Sequence, residues 1–190
     1  GQYALYKPDC FYYITLSFIT LKNFATIRLE SAVVQNFRQQ YQSLFEVITG
    51  YVDFKDTDFI SLQVAAVDVV TNGVVALRTC TLSSGNCGSF SFDGGSIKYL
   101  NNGYEVRPTG INSADPVSNL YRSAFLYGNG FRSVKLKNVK ATYNYAYFYP
   151  FISITGSRIV VFEGLDFSYN IATNDLIYMA INQQFSLVQM

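Results

Sequence analysis

Along this chain one five-residue phrase keeps returning: apolar, any, apolar, any, then a small polar or turn residue. It occupies residues 19–23, 52–56, 75–79, 97–101, 134–138, 160–164 and 185–189. Apolar positions two apart face the same way in a strand, so each phrase predicts a short β-strand with one buried face. The closing residues lie between 22 and 37 positions apart. That spread fits a fixed coil carrying loops of variable length, not a strict repeat. Two further signals keep step with the phrase. A glycine turn precedes most copies (Gly50, Gly73, Gly95, Gly130, Gly156), and a second alternating run starts soon after, as at Phe59, Ala141 and Phe167.

Each unit thus reads strand, glycine turn, strand, Asn-type turn, strand. Three short strands cannot bury their inward face alone. Stacking the next coil ~4.8 Å above pairs every backbone group and continues every inward column. The predicted fold is therefore all-β: a right-handed parallel β-helix solenoid of about seven coils, with three short strands per coil. One inward column is expected to hold Ile19, Val52, Val75, Ile97, Val134, Val160 and Phe185. The other is expected to hold Leu21, Phe54, Leu77, Tyr99, Leu136, Phe162 and Leu187. Turn ladders are expected at the five glycines and at Asn23, Asn101 and Asn138, because Gly and Asn accept positive φ at low cost. The competing architecture is an antiparallel sandwich, whose hairpins would not hold these three features in one order.

Residues 1–190 are read as one domain, with irregular insertions near 31–42 and 106–123; the first is expected to form a helical turn or an omega-like loop. The start at Gly1 without Met and the apolar last segment lead us to expect a fragment of, or a unit within, a longer assembly.

Residues 151–170 run strand, Gly-Ser turn, strand, turn, then Phe-Ser-Tyr-Asn. This order resembles the pectin-lyase-like β-helix superfamily. Within it, the chain is similar to the non-catalytic branches of surface adhesins and polymorphic outer-membrane repeat proteins. The resemblance covers residues 11–190 at the level of pattern. It implies a scaffold at the cell surface. Catalytic members place clustered Asp with Lys or Arg on the outer face of one sheet. Here the nearest cluster is Asp53, Asp56 and Asp58, no second acidic pair aligns with it, and the polygalacturonase-type motifs are missing. A polysaccharide-cleaving enzyme is not expected.

Composition narrows the chemistry. Tyr and Phe number 16 each, a load that favours strands. There is no Trp and no His, which removes the commonest general base and metal ligand. No cofactor or metal is expected. Cys10, Cys80 and Cys87 form no CxxC. Cys80 and Cys87 bracket a short polar turn and read either as a local disulfide or as two thiols. A net charge of +1 with 14% charged residues gives no general pull toward nucleic acid. No apolar stretch has the length of a membrane span.

The outer positions of the phrase carry Lys22, Lys55, Arg78, Lys98, Lys135 and Lys137, six of the fourteen Lys and Arg. Their bias to one expected face allows two readings, a basic stripe for an acidic polysaccharide or a solvated face that discourages aggregation. The function expected from the whole pattern is a structural or adhesive unit of an extracellular or cell-surface protein or fibre. Its coil ends would stack on copies of itself, giving a homo-oligomer or fibre, or continue into further coils. A carbohydrate-binding module is the alternative.

Overall fold

The computed structural model describes residues 12–14, 19–22, 24–39, 43–64, 74–77, 88–102, 124–146, 150–172, 175–180 and 184–188. Among them there is no helix. The chain enters through β1 (Tyr12–Ile14), and a first round follows as β2 (Ile19–Leu21), β3 (Ala25–Glu30), β4 (Val33–Gln35) and β5 (Phe37–Gln39). The second round is β6 (Phe45–Val47), β7 (Gly50–Ile60) and β8 (Gln63–Val64), and the third is β9 (Val75–Leu77), β10 (Ser89–Lys98) and β11 (Asn101–Asn102). The fourth is β12 (Leu126–Asn129), β13 (Ser133–Lys137), β14 (Lys140–Thr142) and β15 (Tyr145–Ala146). The fifth is β16 (Ile152–Thr155), β17 (Ile159–Glu163) and β18 (Ile171–Ala172), after which come β19 (Ile177–Ala180) and β20 (Gln184–Val188).

Each round visits three sheets in the same order. The first sheet stacks β2, β6, β9, β12, β16 and β19; the second stacks β3, β7, β10, β13, β17 and β20, with β4 beside β7 and β14 beside β10. The third stacks β1, β5, β8, β11, β15 and β18. Every named strand pairing is parallel. All-parallel sheets stacked around a buried aromatic core are consistent with a β-solenoid.

Local chemistry explains the rounds. In β7 the alternation places Val52 and Phe54 inside and Tyr51 and Lys55 outside, and it then skips a beat at Asp56 before Thr57 and Phe59 turn inward. Asp56 sits at φ 46°, in the left-handed region. A residue there bends a strand and resets which way the next side chain points. The pairing register stacks Ser31, Asp56, Gly94, Asn138 and Gly164 at this bend, with φ of 51°, 46°, 75°, 52° and 59°. A second such column joins the second sheet to the third: Asn36, Ser61, Tyr99, Tyr143 and Tyr169, all between 54° and 60°.

The core lies between the three sheets. Its second-sheet columns are Ile27–Val52–Phe90–Val134–Val160 and Leu29–Phe54–Phe92–Leu136–Phe162. A first-sheet column runs Ile19–Phe45–Val75–Leu126–Ile152–Ile177. Phe45, Phe54, Phe59, Phe90, Phe92 and Phe125 are fully buried. Their rings meet mostly edge to face, with centroids 5.3–6.3 Å apart.

These columns correct the ones read from the phrase. Val52, Val134, Val160 and Phe185 do share a column, but Ile19 and Val75 belong to the first sheet. Ile97 lies beyond the bend of β10, paired with Phe59 and Ala141. Tyr99 leaves the inward set altogether and occupies a left-handed corner. Strands of every sheet share the apolar-x-apolar pattern, so seven copies of the phrase do not mean seven coils. Among the described residues each sheet's main path is six strands deep. The expected irregular insertion at 31–42 is also corrected: its described part forms β4 and β5. The insertion expected at 106–123 lies outside the described residues.

Candidate interaction surface

Three sets of outward side chains are ordered by the stacking. The first is on the exposed face of the second sheet. Register aligns Glu30, Lys55, Asp93, Lys137 and Glu163 in one column, so charge alternates sign from strand to strand. The neighbouring column holds Arg28, Asp53, Ser91, Lys135 and Val161. Lys55 Nζ lies 3.1 Å from Glu30 Oε1, Lys137 Nζ 2.6 Å from Glu163 Oε2, and Arg28 Nε 3.5 Å from Asp53 Oδ2. Asn138 Nδ2 donates to Asp93 Oδ1 at 3.0 Å. The hydrogen bond from Lys55 holds the Glu30 carboxyl below its usual range, and the same contact raises Lys55. Glu163 likewise raises Lys137. Exposed pairs of this kind contribute little stability individually. Their order along the stack favours this register, because a two-residue slip of β3 along β7 would set Glu30 opposite Asp53.

The six cations read from the sequence do not form one stripe. Lys55, Lys135 and Lys137 share the second-sheet face. Lys98 lies past the bend of β10, paired with Ile60 and Thr142, and Lys22 follows β2 at the edge of another sheet. Arg78 lies outside the described residues, as do Cys10, Cys80, Cys87, Gly73 and Asn23. Arg28, Glu30 and Asp93, which complete the ladder, were not among the candidates.

The turn ladders are also redistributed. Gly130 and Gly156 share the corner between the first and second sheets, at φ 72° and 63°. Gly50 begins β7 opposite Ala25, and Gly95 lies within β10 opposite Thr57. Asn138 is at the second-sheet bend, its Oδ1 lying over Gly164 where a Cβ would come within 2.7 Å. Asn101 is a buried strand residue of β11 and not a turn residue.

The second ordered set stands at the corner between the second and third sheets. Tyr99, Tyr143 and Tyr169 stack face to face, with centroids 5.8 and 5.2 Å apart and planes within 16° and 5°. Tyr143 and Tyr169 are exposed, 44% and 67%. A bulky residue in the left-handed region is strained by about 1–2 kcal/mol, so the corner is not occupied by tyrosine for backbone comfort. No protein-family model, curated protein or solved structure matches the chain. The likeness to pectin-lyase-like coils therefore stands on the strand pattern alone.

Beside Tyr143 and Tyr169 runs the third set. Asn144 Oδ1 accepts from the Leu100 N–H at 2.9 Å, and Asn144 Nδ2 donates to the Ile97 carbonyl at 2.9 Å. One round on, Asn170 repeats this: its Oδ1 accepts from the Asn144 N–H at 3.0 Å, and its Nδ2 donates to the Ala141 carbonyl at 2.8 Å. Asn144 Nδ2 also donates to Asn170 Oδ1 at 2.9 Å. This amide ladder supplies hydrogen bonds where the backbone turns and cannot pair in sheet fashion. The doublets Tyr143-Asn144 and Tyr169-Asn170 were its visible signal in the sequence. Among the described residues no group of three or more His, Cys, Asp or Glu is placed to hold a metal. Among the described residues no helix is long and apolar enough to cross a membrane, and this says nothing of a β-barrel.

Proposed function

We propose that the chain is a right-handed β-solenoid segment, about six coils deep, serving as a structural or adhesive unit of an extracellular surface protein or self-assembling fibre. Its ends stack on another copy or continue into further coils. One observation carries this reading. Among the described residues the outermost strands of all three sheets, β1, β2 and β3 at one end and β18, β19 and β20 at the other, pair on one side only. Strand edges left unpaired among the described residues are templates for further strands. The ordered outward side chains support the same reading, since charges, rings and amides mostly engage their neighbours along the stack.

An acidic polysaccharide on the basic residues is the weaker reading. Its central cations Lys55 and Lys137 each face a carboxylate already.

Electron microscopy of the purified chain across a concentration series tests the proposal. A self-assembling unit gives filaments with an axial repeat of roughly six strand spacings, about 29 Å. Dispersed single particles at every concentration would overturn the fibre.

A further inference from the structure

The corner ladder has a defined next position. Every Asn rung makes the same two bonds to the round before it. Its Oδ1 takes the N–H of the rung residue (Leu100, then Asn144), and its Nδ2 gives to the carbonyl three residues earlier (Ile97, then Ala141). Continuing by one round, the partners are the Asn170 N–H and the Phe167 carbonyl. Neither group forms a hydrogen bond among the described residues. Among the described residues the Tyr169 ring has a partner, Tyr143, on one face only, and it is the most exposed of the large hydrophobic side chains on the described surface, at 67%. Immediately after this corner comes β18, the open edge of the third sheet. An unfilled ring face, a donor and an acceptor thus stand together at one end of the stack, in a geometry already satisfied twice within the molecule.

We infer that this end is a docking site for a parallel strand segment carrying an aromatic residue followed by asparagine, that is, a further coil with a rung like Tyr143-Asn144. The inference rests on the proposed stacking and names the chemistry of the partner. The aromatic ring covers Tyr169; the primary amide bridges the Asn170 N–H and the Phe167 carbonyl; the following residue's N–H donates to the Asn170 carbonyl, as Ile171 N–H does to that of Asn144. Aspartate in the rung would lose the donor, and leucine would lose both bonds. The corresponding corners toward the opposite end carry Asn36-Phe37 and Ser61-Leu62. At the outermost strand of that end, β1, register sets Tyr12 opposite Phe37 and so at the rung position, which is not a primary amide; a second copy arriving by that end would leave the rung unfilled. The fitting occupant is a coil of the Tyr-Asn type.

The test uses the intact chain and labelled peptides copying residues 159–172, with a solubilising lysine tail, followed by fluorescence anisotropy. One peptide keeps the Tyr-Asn doublet; in the second the asparagine is leucine, the residue that Leu100 already places at a rung. Saturable binding of the first, about tenfold tighter than the second, is the expected result, because two hydrogen bonds distinguish them. A Tyr169→Ser chain with an unchanged circular dichroism spectrum should bind the first peptide less tightly. Equal binding of the two peptides, or no saturable binding of either, would overturn the inference. The peptides leave the chain unaltered, so a folding defect cannot produce either outcome. Selective peptide binding with dispersed particles in the microscope would sink only the fibre; filaments with unselective peptides would sink only the rung.

Discussion

Two aromatic columns run along this molecule, and they are built in opposite ways. Inside, Phe45, Phe54, Phe59, Phe90 and Phe92 pack mostly edge to face at interplanar angles from 53° to 90°, and the buried pair Phe125 and Phe151, 17° apart, is the stacked exception among the described core rings. Outside, Tyr143 and Tyr169 are nearly parallel, with planes 5° apart. The interior rings come from different sheets and settle where burial is greatest. The exterior rings come from one corner and inherit their order from the backbone beneath them. Interior aromatics hold the fold; exterior aromatics, seated in strained conformations, report its periodicity and offer a surface.

The largest expected effect lies inside. Phe54→Ala removes a ring buried against Phe45, Phe59, Phe90 and Phe92 and should cost about 3–5 kcal/mol, read as a lowered urea midpoint. A loss below about 1 kcal/mol would show that the core is not closely packed.

Next comes the amide ladder that ties the outer column to the inner one. Asn144 is buried, and Asn144→Leu strands the Leu100 N–H and the Ile97 carbonyl. A cost of about 2–4 kcal/mol follows. Amide exchange at Leu100 should accelerate to match.

Gly164→Ala should cost about 1–2 kcal/mol, because φ is 59° and the new Cβ would meet Asn138 Oδ1 at 2.7 Å. Pairing it with Asn138→Ala should recover part of the loss by removing the clash. A double-mutant cycle reads that coupling.

Outside, Tyr143→Asn should change stability by less than about 1 kcal/mol, since lost ring stacking is offset by relief of backbone strain. A loss as large as that of Phe54→Ala would erase the contrast between the columns.

The smallest effects are electrostatic. Ser168, through its side-chain hydrogen bond, lowers the Asp166 carboxyl below its ordinary 3.8, with Lys140 adding to it. A depressed carboxyl stabilises the folded state above its unfolded pKa, and that contribution is lost as pH falls through the folded value. Glu163 raises Lys137 above its ordinary 10.5, so that contribution is present below 10.5 and lost as pH rises through the raised value. The urea midpoint should therefore sag slightly at both extremes, and Asp166→Asn should lessen the sag on the acid side only, the share from Glu30 remaining.

Much of the fold was legible because period-two alternation and punctuating glycines are local signals. All-β structure, parallel stacking and the inward set Val52, Phe54, Val134, Leu136, Val160 and Phe162 follow from them. What escaped was phase. Asp56 and its column take left-handed conformations in the middle of a continuous strand, and no residue type enforces that: Ser31, Gly94, Asn138 and Gly164 share it. The alternation therefore resets without notice, and Ile97 was placed in the wrong column. Pairing was equally hidden. Lys55 looked like a member of a basic stripe because Glu30 is 25 residues away in sequence and meets it only through strand register.

The central claim is that strands of successive rounds stack in register, so that Glu30, Lys55, Asp93, Lys137 and Glu163 climb one face in single steps. Pulsed electron spin resonance between genetically encoded spin labels at Glu30 and Glu163 measures this directly. Four parallel steps of ~4.8 Å predict a narrow distance distribution near 20 Å. A broad distribution, or one centred beyond about 30 Å, would contradict the stack.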